Sequence, residues 1–425
     1  MATTLGGLPV DDQVFAGLKV WDMSWVGVGP LTSRYLADHG ATVVRLDSSK
    51  RPDILRTAPP FQGGVPGLDN SMFYGDYNCN KLGLGLDLGS ERGRDLARRL
   101  GLWADVLVES FTPGNLAKWG LDYANLAPDN PGLVMLSTCM QGQTGPRAHY
   151  PGFGNLMAAH AGFYAVTGWH DLTPVPVYGA YTDFIAQRFT TTALIAALDH
   201  RRRTGEGQYI DVSQFESAIQ YLGTELLDYE VNGTVAERCG NDDRFAAPHG
   251  VYPCAGEDRW IAIAVGSDGA WAALKAAMGH PAWSADPALD GVRGRLAARR
   301  QLDERIAAWT AKQDARTLMY RLQPEVPAAL VQNQSDLYQD PQLTYRGYFA
   351  ELDHSVMGRV PYNGAQHLMS RTPAQYRKAS PCIGEDSRTV LKECLGMDAQ
   401  EIEALVEAGV VEAPARDPQR AAVEA

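Results

Sequence analysis

The sequence predicts an α/β protein: a large domain around a Rossmann-like open parallel sheet, followed by a smaller α+β domain. Three observations predict it. Short apolar, β-rich runs alternate with amphipathic helical stretches up to about residue 140. The chain has 425 residues, more than the roughly 250–300 that one core usually supports. Around Gly240 the character changes from βαβ alternation to loop and hairpin.

The elements follow in order. LKVWDM from Leu18 is a strand, Gly27 to Pro30 a tight turn, LTSRYLADHG a helix, and ATVVRLD a second strand. DVLVE (105–109) and LVMLS (133–137) are further strands, and Ser90 with Glu91 caps a helix that Gly101 should close. Two long helical stretches are expected over 152–167 and 184–203. The second ends in His200-Arg201-Arg202-Arg203 before Thr204-Gly205, cations in the last turn with glycine beyond them. A third helix is expected over 213–231. After the loop GNDDRFAAPHG from Gly240, VYPC and DRWIAIAV read as a hairpin that opens the second domain. Helices near 268–278, 296–310 and 315–323 complete it. Beyond Pro341 the pattern turns irregular, with a last helix capped by Asp398 and a frayed tail.

Composition narrows the function classes. With 45% apolar and 21% charged residues the chain is an ordinary globular protein. A net charge of −12 argues against nucleic-acid binding, although local cations can still hold a small anion. No apolar run reaches the roughly 20 residues of a membrane span, and the first residues lack signal-peptide features. A cytoplasmic enzyme with no membrane partner is therefore expected. The six cysteines are scattered without CxxC pairs or metal-ligand spacing, so reduced thiols and no metal are expected. GxGxxG, P-loop, HExxH and GxSxG motifs are absent, which disfavours a nicotinamide dehydrogenase or a serine hydrolase.

Two local features remain open at this level. Gly27-Val28-Gly29 is a tight strand-to-helix turn with Pro30 at the helix start, and also a place where phosphates could approach backbone. Asp183, directly before the apolar-periodic FIAQRFTTTALIAAL, reads locally as a helix N-cap.

A family resemblance changes the weight of Asp183. GLKVWDMSWVGVGPLTSRYLADHGATVVRLD, DILR, NCNK, VESFTPGNLAKWGLDY, NPGLVMLSTCMQGQTGP, the Asp183 segment and ALDHRRRTGEGQYIDVSQFE, in this order, resemble the class III CoA-transferases. They cover most of residues 17–216. The resemblance implies a large domain built from both ends of the chain (residues 1–225 and 336–425) and a small middle domain (226–335). It also implies two ring-shaped subunits interlocked as an obligate homodimer, or as a heteromer with a paralogous subunit. It implies Asp183 as the catalytic nucleophile, with coenzyme A and acyl-CoA as substrates and no prosthetic group. CoA-contacting positions would be Val26, Gly27, Val28, Arg45, Arg56, Asn80, Lys81, Phe111 and Lys118. Gln141, Gly142, Phe153 and Tyr181 would meet the carboxylic acid substrates.

Ser48, Ser110 and Met140-Gln141 depart from the family pattern and put individual CoA contacts in doubt. In the related acyl-CoA racemases a histidine occupies the position of Phe153, and phenylalanine cannot transfer a proton. YGAYTDF, CMQGQTGP and APHGVYPC look closest to a branch acting on aromatic dicarboxylic acids such as benzylsuccinate, with succinyl-CoA as donor. Phe153, Met157, Tyr178 and Tyr181 would then line an apolar pocket. The alternatives are an acyl-CoA racemase or isomerase and a non-catalytic subunit of a heteromer. An aspartate with an ordinary pKa of about 3.9 is ionised at neutral pH and attacks without a partner base. The intermediates must be kept from water, and Gly240-Asn241-Asp242-Asp243 is the expected lid. Backbone amides near Gly142 and Gly145 are expected to stabilise oxyanions.

Overall fold

In the first compact unit, six parallel strands form the sheet that carries the candidate residues: β1 (Lys19–Asp22), β2 (Thr42–Asp47), β3 (Leu82–Leu86), β4 (Val106–Glu109), β5 (Val134–Cys139) and β6 (Gln208–Ser213). This is a computed structural model, and it describes residues 13–415. The spatial order is β3-β2-β1-β4-β5-β6, with a short strand, Val411–Glu412, added antiparallel beyond β3. Strand β1 pairs with both β2 and β4, so the winding reverses direction between β1 and β4. In open α/β sheets the crevice at such a switch point, outside the carboxyl ends of the strands, is where ligands bind.

Both faces of the sheet are covered, which explains why its strands read as continuous apolar runs rather than alternating ones. Val20, Val43, Val106, Val134 and Leu136 pack on one face with Leu36, Ala37 and Leu194. Trp21, Val44, Leu84, Leu107 and Met135 pack on the other with Leu96, Leu100, Leu391 and Leu405. The covering helices include Val28–Asp38, Glu91–Trp103 and the 24-residue helix Tyr181–Thr204, and Thr32 and Thr190 hydroxyls meet at 2.6 Å between the first and last of these. Gly205, at φ +79°, ends the long helix after its basic last turn, as expected.

Several sequence expectations need correction. Gly101 does not close its helix, which continues to Trp103; Gly101 is buried because Leu126 packs where a side chain would stand. The 152–167 stretch splits into Gly154–His160 and Phe163–Val166, with Gly162 at φ +97° between them. The 213–231 stretch splits likewise into Gln214–Ile219 and Gly223–Asn232. β3 and β6 were not expected. In β3 (LGLGL) a Cβ on Gly83 or Gly85 would stand 2.6 Å from Pro381 or Glu412, so the glycines that weaken the strand signal are required by close chain packing. The irregular region after Pro341 contains an antiparallel hairpin, Phe349–His354 with Gly358–Asn363.

This unit comprises the described residues up to Phe163, Pro176–Thr234 and those from Tyr345 onward. The second unit comprises Val235–Thr344 together with Tyr164–Val175, a contribution that nothing in the sequence signals. It has a three-stranded antiparallel sheet of β7 (His249–Pro253), β8 (Trp260–Ala264) and β9 (Ala328–Leu330). Tyr252, Ile261, Ile263, Trp271, Leu274, Leu302, Ile306 and Leu318 form its core. Among the described residues no helix is long and apolar enough to cross a membrane.

Candidate active site

Asp183 is the third residue of its helix, and the N-cap is Ala180. Its side chain caps nothing, which overturns the local N-cap reading. Instead the carboxyl points into a crowded recess and is only 4% exposed. Gly27, in the turn after β1, and Gly154, opening its own helix, press against it: a Cβ on Gly27 would lie 2.9 Å from Asp183 Cβ, and one on Gly154 2.3 Å from Asp183 Oδ2. The Gln214 side chain is its hydrogen-bond partner. Thr182 Oγ1 donates to Gly154 O at 3.0 Å and to Gln214 Oε1 at 3.4 Å, which leaves the Gln214 amide N–H for the carboxylate.

Burial pushes the Asp183 carboxyl up to about 7, against the smaller opposing effect of the Gln214 hydrogen bond. The expectation of a fully ionised nucleophile at neutral pH is thereby corrected. Reactivity that needs the carboxylate is expected to rise with pH through about 7 and then level off. The sign for stability is opposite. The folded carboxyl binds its proton more tightly than the unfolded one, so that contribution is complete at low pH and is lost as pH rises through about 7. Asp183→Asn has no such proton to lose. Its stability gain over the parent is expected to be larger at about pH 8 than at about pH 5, by roughly 2 kcal/mol. Urea melts of both proteins at the two pH values check this; an equal offset at both would contradict it.

The other candidate residues divide into two groups. Val26, Gly27 and Val28 follow β1, and Phe111 and Lys118 follow β4, the two strands that flank the switch point. Ser110 ties the two loops, accepting from Trp25 N at 2.7 Å and donating to Trp25 O at 3.0 Å. Phe111 lies between Trp25 and Trp119, 5.5 Å from each ring. Lys118 is exposed, its Nζ 3.0 Å from Asn115 Oδ1.

Arg45, Arg56, Asn80 and Lys81 are placed differently, all buried and already partnered. Arg45 lies 2.6 Å from Asp53 and 3.6 Å from Asp22. Arg56 engages Asp47 at 2.6 Å and Asp69 at 2.7 Å, and donates to Leu68 O and Pro381 O. Asn80 bridges Asp38 and the backbone of Gln375, Arg377 and Lys378. Lys81 Nζ binds Asp22 at 2.9 Å and Asn78 at 2.8 Å. Burial alone would raise the Asp22 carboxyl, but Lys81 and Arg45 outweigh it and hold it well below the usual range. In this structure each of these four side chains is buried and meets internal partners, although Arg45 Nε and Nη1 carry no hydrogen bond. Lys81→Met would leave the Asp22 charge buried without its closest cationic partner and is expected to cost about 3–5 kcal/mol. Chemical denaturation measures the loss. An unchanged midpoint accompanied by a raised KM for the CoA thioester would return Lys81 to the ligand.

Gln141 and the buried Gly142, at φ +88°, form the turn leaving β5. That turn is joined to the Asp183 recess because Phe215 N, next to Gln214, donates to Met140 O at 3.0 Å. Gly145 is exposed. Phe153 immediately precedes Gly154 but is 58% exposed, Tyr178 is 97% and Tyr181 38% exposed, while Met157 is buried. Within the chain these four do not close an apolar pocket. The stretch expected to form a lid lies in the second unit and is tied down there: Arg299 donates to Asp242 Oδ2 and to Asp243 O, each at 2.7 Å.

Gly154, Gln214 and Asp53 were missed in the sequence, and Ser110 was noted there only as a departure from the family pattern. Gly154, Gln214 and Asp53 had a local cue, each standing at a helix start, but their contacts with Asp183 and Val26 are long-range.

The family model for CoA-transferase family III matches residues 15–387, nearly the whole chain. The chain belongs to CoA-transferase family III. Among curated relatives of this family III chain, the succinate–glutarate CoA-transferase of Agrobacterium fabrum is 32% identical, over 91% of this chain and 97% of that protein. The succinyl-CoA–D-citramalate CoA-transferase of Chloroflexus aurantiacus is 28% identical, over 93% of this chain and 96% of the relative. A CAIB/BAIF family protein from Brucella suis of solved structure superposes with a TM-score of 0.83 at 29% identity, covering 90% of this chain and all of that one. This family III protein is thus a CoA-transferase that uses CoA thioesters and carboxylic acids.

Proposed function

We propose that this transferase moves CoA from succinyl-CoA to a small dicarboxylic acid through two covalent states of Asp183. The single observation that carries the reading is the Asp183 carboxyl, buried against Gly27 and Gly154 beside the crevice between β1 and β4. One Asp183 oxygen attacks the thioester carbonyl, the C–S bond breaks, and CoA leaves as thiolate, giving an aspartyl–succinyl anhydride. The thiolate attacks the aspartyl carbonyl and expels succinate, leaving CoA as an Asp183 thioester. The acceptor carboxylate attacks that thioester to form a second anhydride and release the thiolate. Attack of the thiolate on the acceptor acyl carbonyl then gives the new acyl-CoA and restores the carboxylate. No net proton or electron is required.

The thiolate must stay close between steps, which converts its return into an effectively intramolecular attack. The Val26–Val28 turn, Phe111 and Lys118 are the proposed CoA contacts, with Gln141 and Gly142 near the acyl groups. An aliphatic acceptor is favoured because both curated relatives are named for aliphatic dicarboxylates and the aromatic candidates are exposed. Phe153 in the histidine position speaks against α-proton exchange. An obligate dimer is part of the proposal. The helix Gly223–Asn232 buries no residue, and Leu227 and Val231 are 66% and 75% exposed, an apolar face that a second subunit would cover.

The test is incubation of the purified protein with succinyl-CoA, hydroxylamine trapping and peptide mass analysis, alongside CoA exchange into glutarate, citramalate and benzylsuccinate. Label on the Asp183 peptide with transfer to the aliphatic acids supports the reading. Exchange without label at Asp183 rejects the covalent route, and preferred transfer to benzylsuccinate rejects the aliphatic assignment.

A further inference from the structure

We infer that Asp53 is a positioning residue for the transfer reaction, holding the turn after β1 in the strained conformation that brings Gly27 against Asp183. This rests on the proposed role of Asp183 as nucleophile.

Val26 has φ +66°, a left-handed conformation that a β-branched residue rarely adopts unless the surroundings impose it. Two side chains impose it. Asp53 accepts from Val26 N with both oxygens, at 3.2 and 3.3 Å, and Ser110 holds both backbone groups of Trp25 from the β4 side. Asp53 is itself anchored: it is 0% exposed, accepts from Leu55 N at 3.0 Å, and receives Arg45 Nη2 at 2.6 Å. Arg45 also faces Asp22, which accepts from the backbone and hydroxyl of Ser24. Both ends of the Ser24–Val26 turn are therefore tied to carboxylates that share one guanidinium. Gly29 allows the turn to close, since a Cβ there would stand 2.2 Å from Ser24 Cβ.

The next residue, Gly27, is the wall of the Asp183 recess. If the Val26 turn relaxed to a negative φ, that wall would move and with it the carboxylate. Misplacement of a reacting group by about 1 Å can cost about 100-fold in rate, so a clamp 27 residues distant along the chain governs the chemical step. Arg45 and Asp53 thus take a purpose in place of direct phosphate contact.

The test uses Asp53→Asn, Val26→Gly and the double variant in the full-length protein. Glycine adopts φ +66° without strain, so it removes the need for the clamp. Asp53→Asn is expected to lower kcat about tenfold or more with KM for succinyl-CoA changed far less. Adding Val26→Gly should bring kcat back to within about threefold of the Val26→Gly single variant. A general structural role for Asp53 would lower the folded fraction and leave kcat per folded molecule unchanged, and glycine would not rescue it; either result overturns the inference. Ser110→Ala, which loosens the same turn without unpairing a buried charge, is the second variant. It should lower kcat in the same direction and be relieved by the same glycine, and parental kcat would count against the clamp. Hydroxylamine labelling separates the two levels. No label at Asp183 in the parent protein defeats the nucleophile reading, whereas parental labelling rates in Asp53→Asn defeat the clamp alone.

Discussion

Asp183→Asn is expected to reduce CoA transfer by about 10⁴-fold while leaving succinyl-CoA bound with near-parental affinity. The amide matches the carboxylate in size, so the recess formed by Gly27 and Gly154 remains filled. What it lacks is an anionic oxygen able to attack a thioester. The buried position also makes the variant more stable than the parent above about pH 7, because a desolvated charge has been removed. Loss of activity together with gain of stability distinguishes a nucleophile from a structural acid. Steady-state exchange, thioester binding by calorimetry and a thermal melt, all near pH 8, provide the comparison. Retention of parental turnover would show that the acyl group never resides on this side chain.

Gly154→Ala is expected to produce the second largest effect. An alanine Cβ there would lie 2.3 Å from Asp183 Oδ2 and 3.2 Å from Ala180 Cα, so the carboxylate must rotate or the helix start must shift. Overpacking of this kind costs roughly 1–3 kcal/mol of stability, and displacement of the reacting oxygen costs about 100-fold in kcat. Gly266→Ala is the control, since nothing stands within 4 Å of a Cβ at that position, and its turnover should equal that of the parent. Parental kcat in Gly154→Ala would place the reacting carboxylate elsewhere.

The two variants probe features of different legibility. Asp183 was singled out as the candidate nucleophile through seven ordered sequence blocks, because its neighbours along the chain share the family pattern. Its acidity was misjudged because the burial that raises it involves Gly27 and Gly154, which pack against the carboxyl from distant positions in the sequence. Arg45, Arg56 and Lys81 illustrate the same limit from the other side. As letters they are cations beside strand-to-helix turns, the composition that anion binding requires. In the fold they are buried and ion-paired with Asp22, Asp47 and Asp53, partners that the letters alone do not reveal.

Local order therefore determined what local forces govern. Apolar periodicity marked four of the six parallel strands, the glycine stop marked the end of the long helix, and the βαβ alternation marked the doubly wound sheet, because each depends on residues a few positions apart. Tertiary structure alone decided which side chains share a space. It placed Asp53 under the Val26 turn, set Phe111 edge-to-face between two tryptophans, moved Tyr164–Val175 into the second unit and raised the Asp183 carboxyl to about 7. Burial and electrostatics are set by distances across the fold, and chain order does not encode those distances one residue at a time.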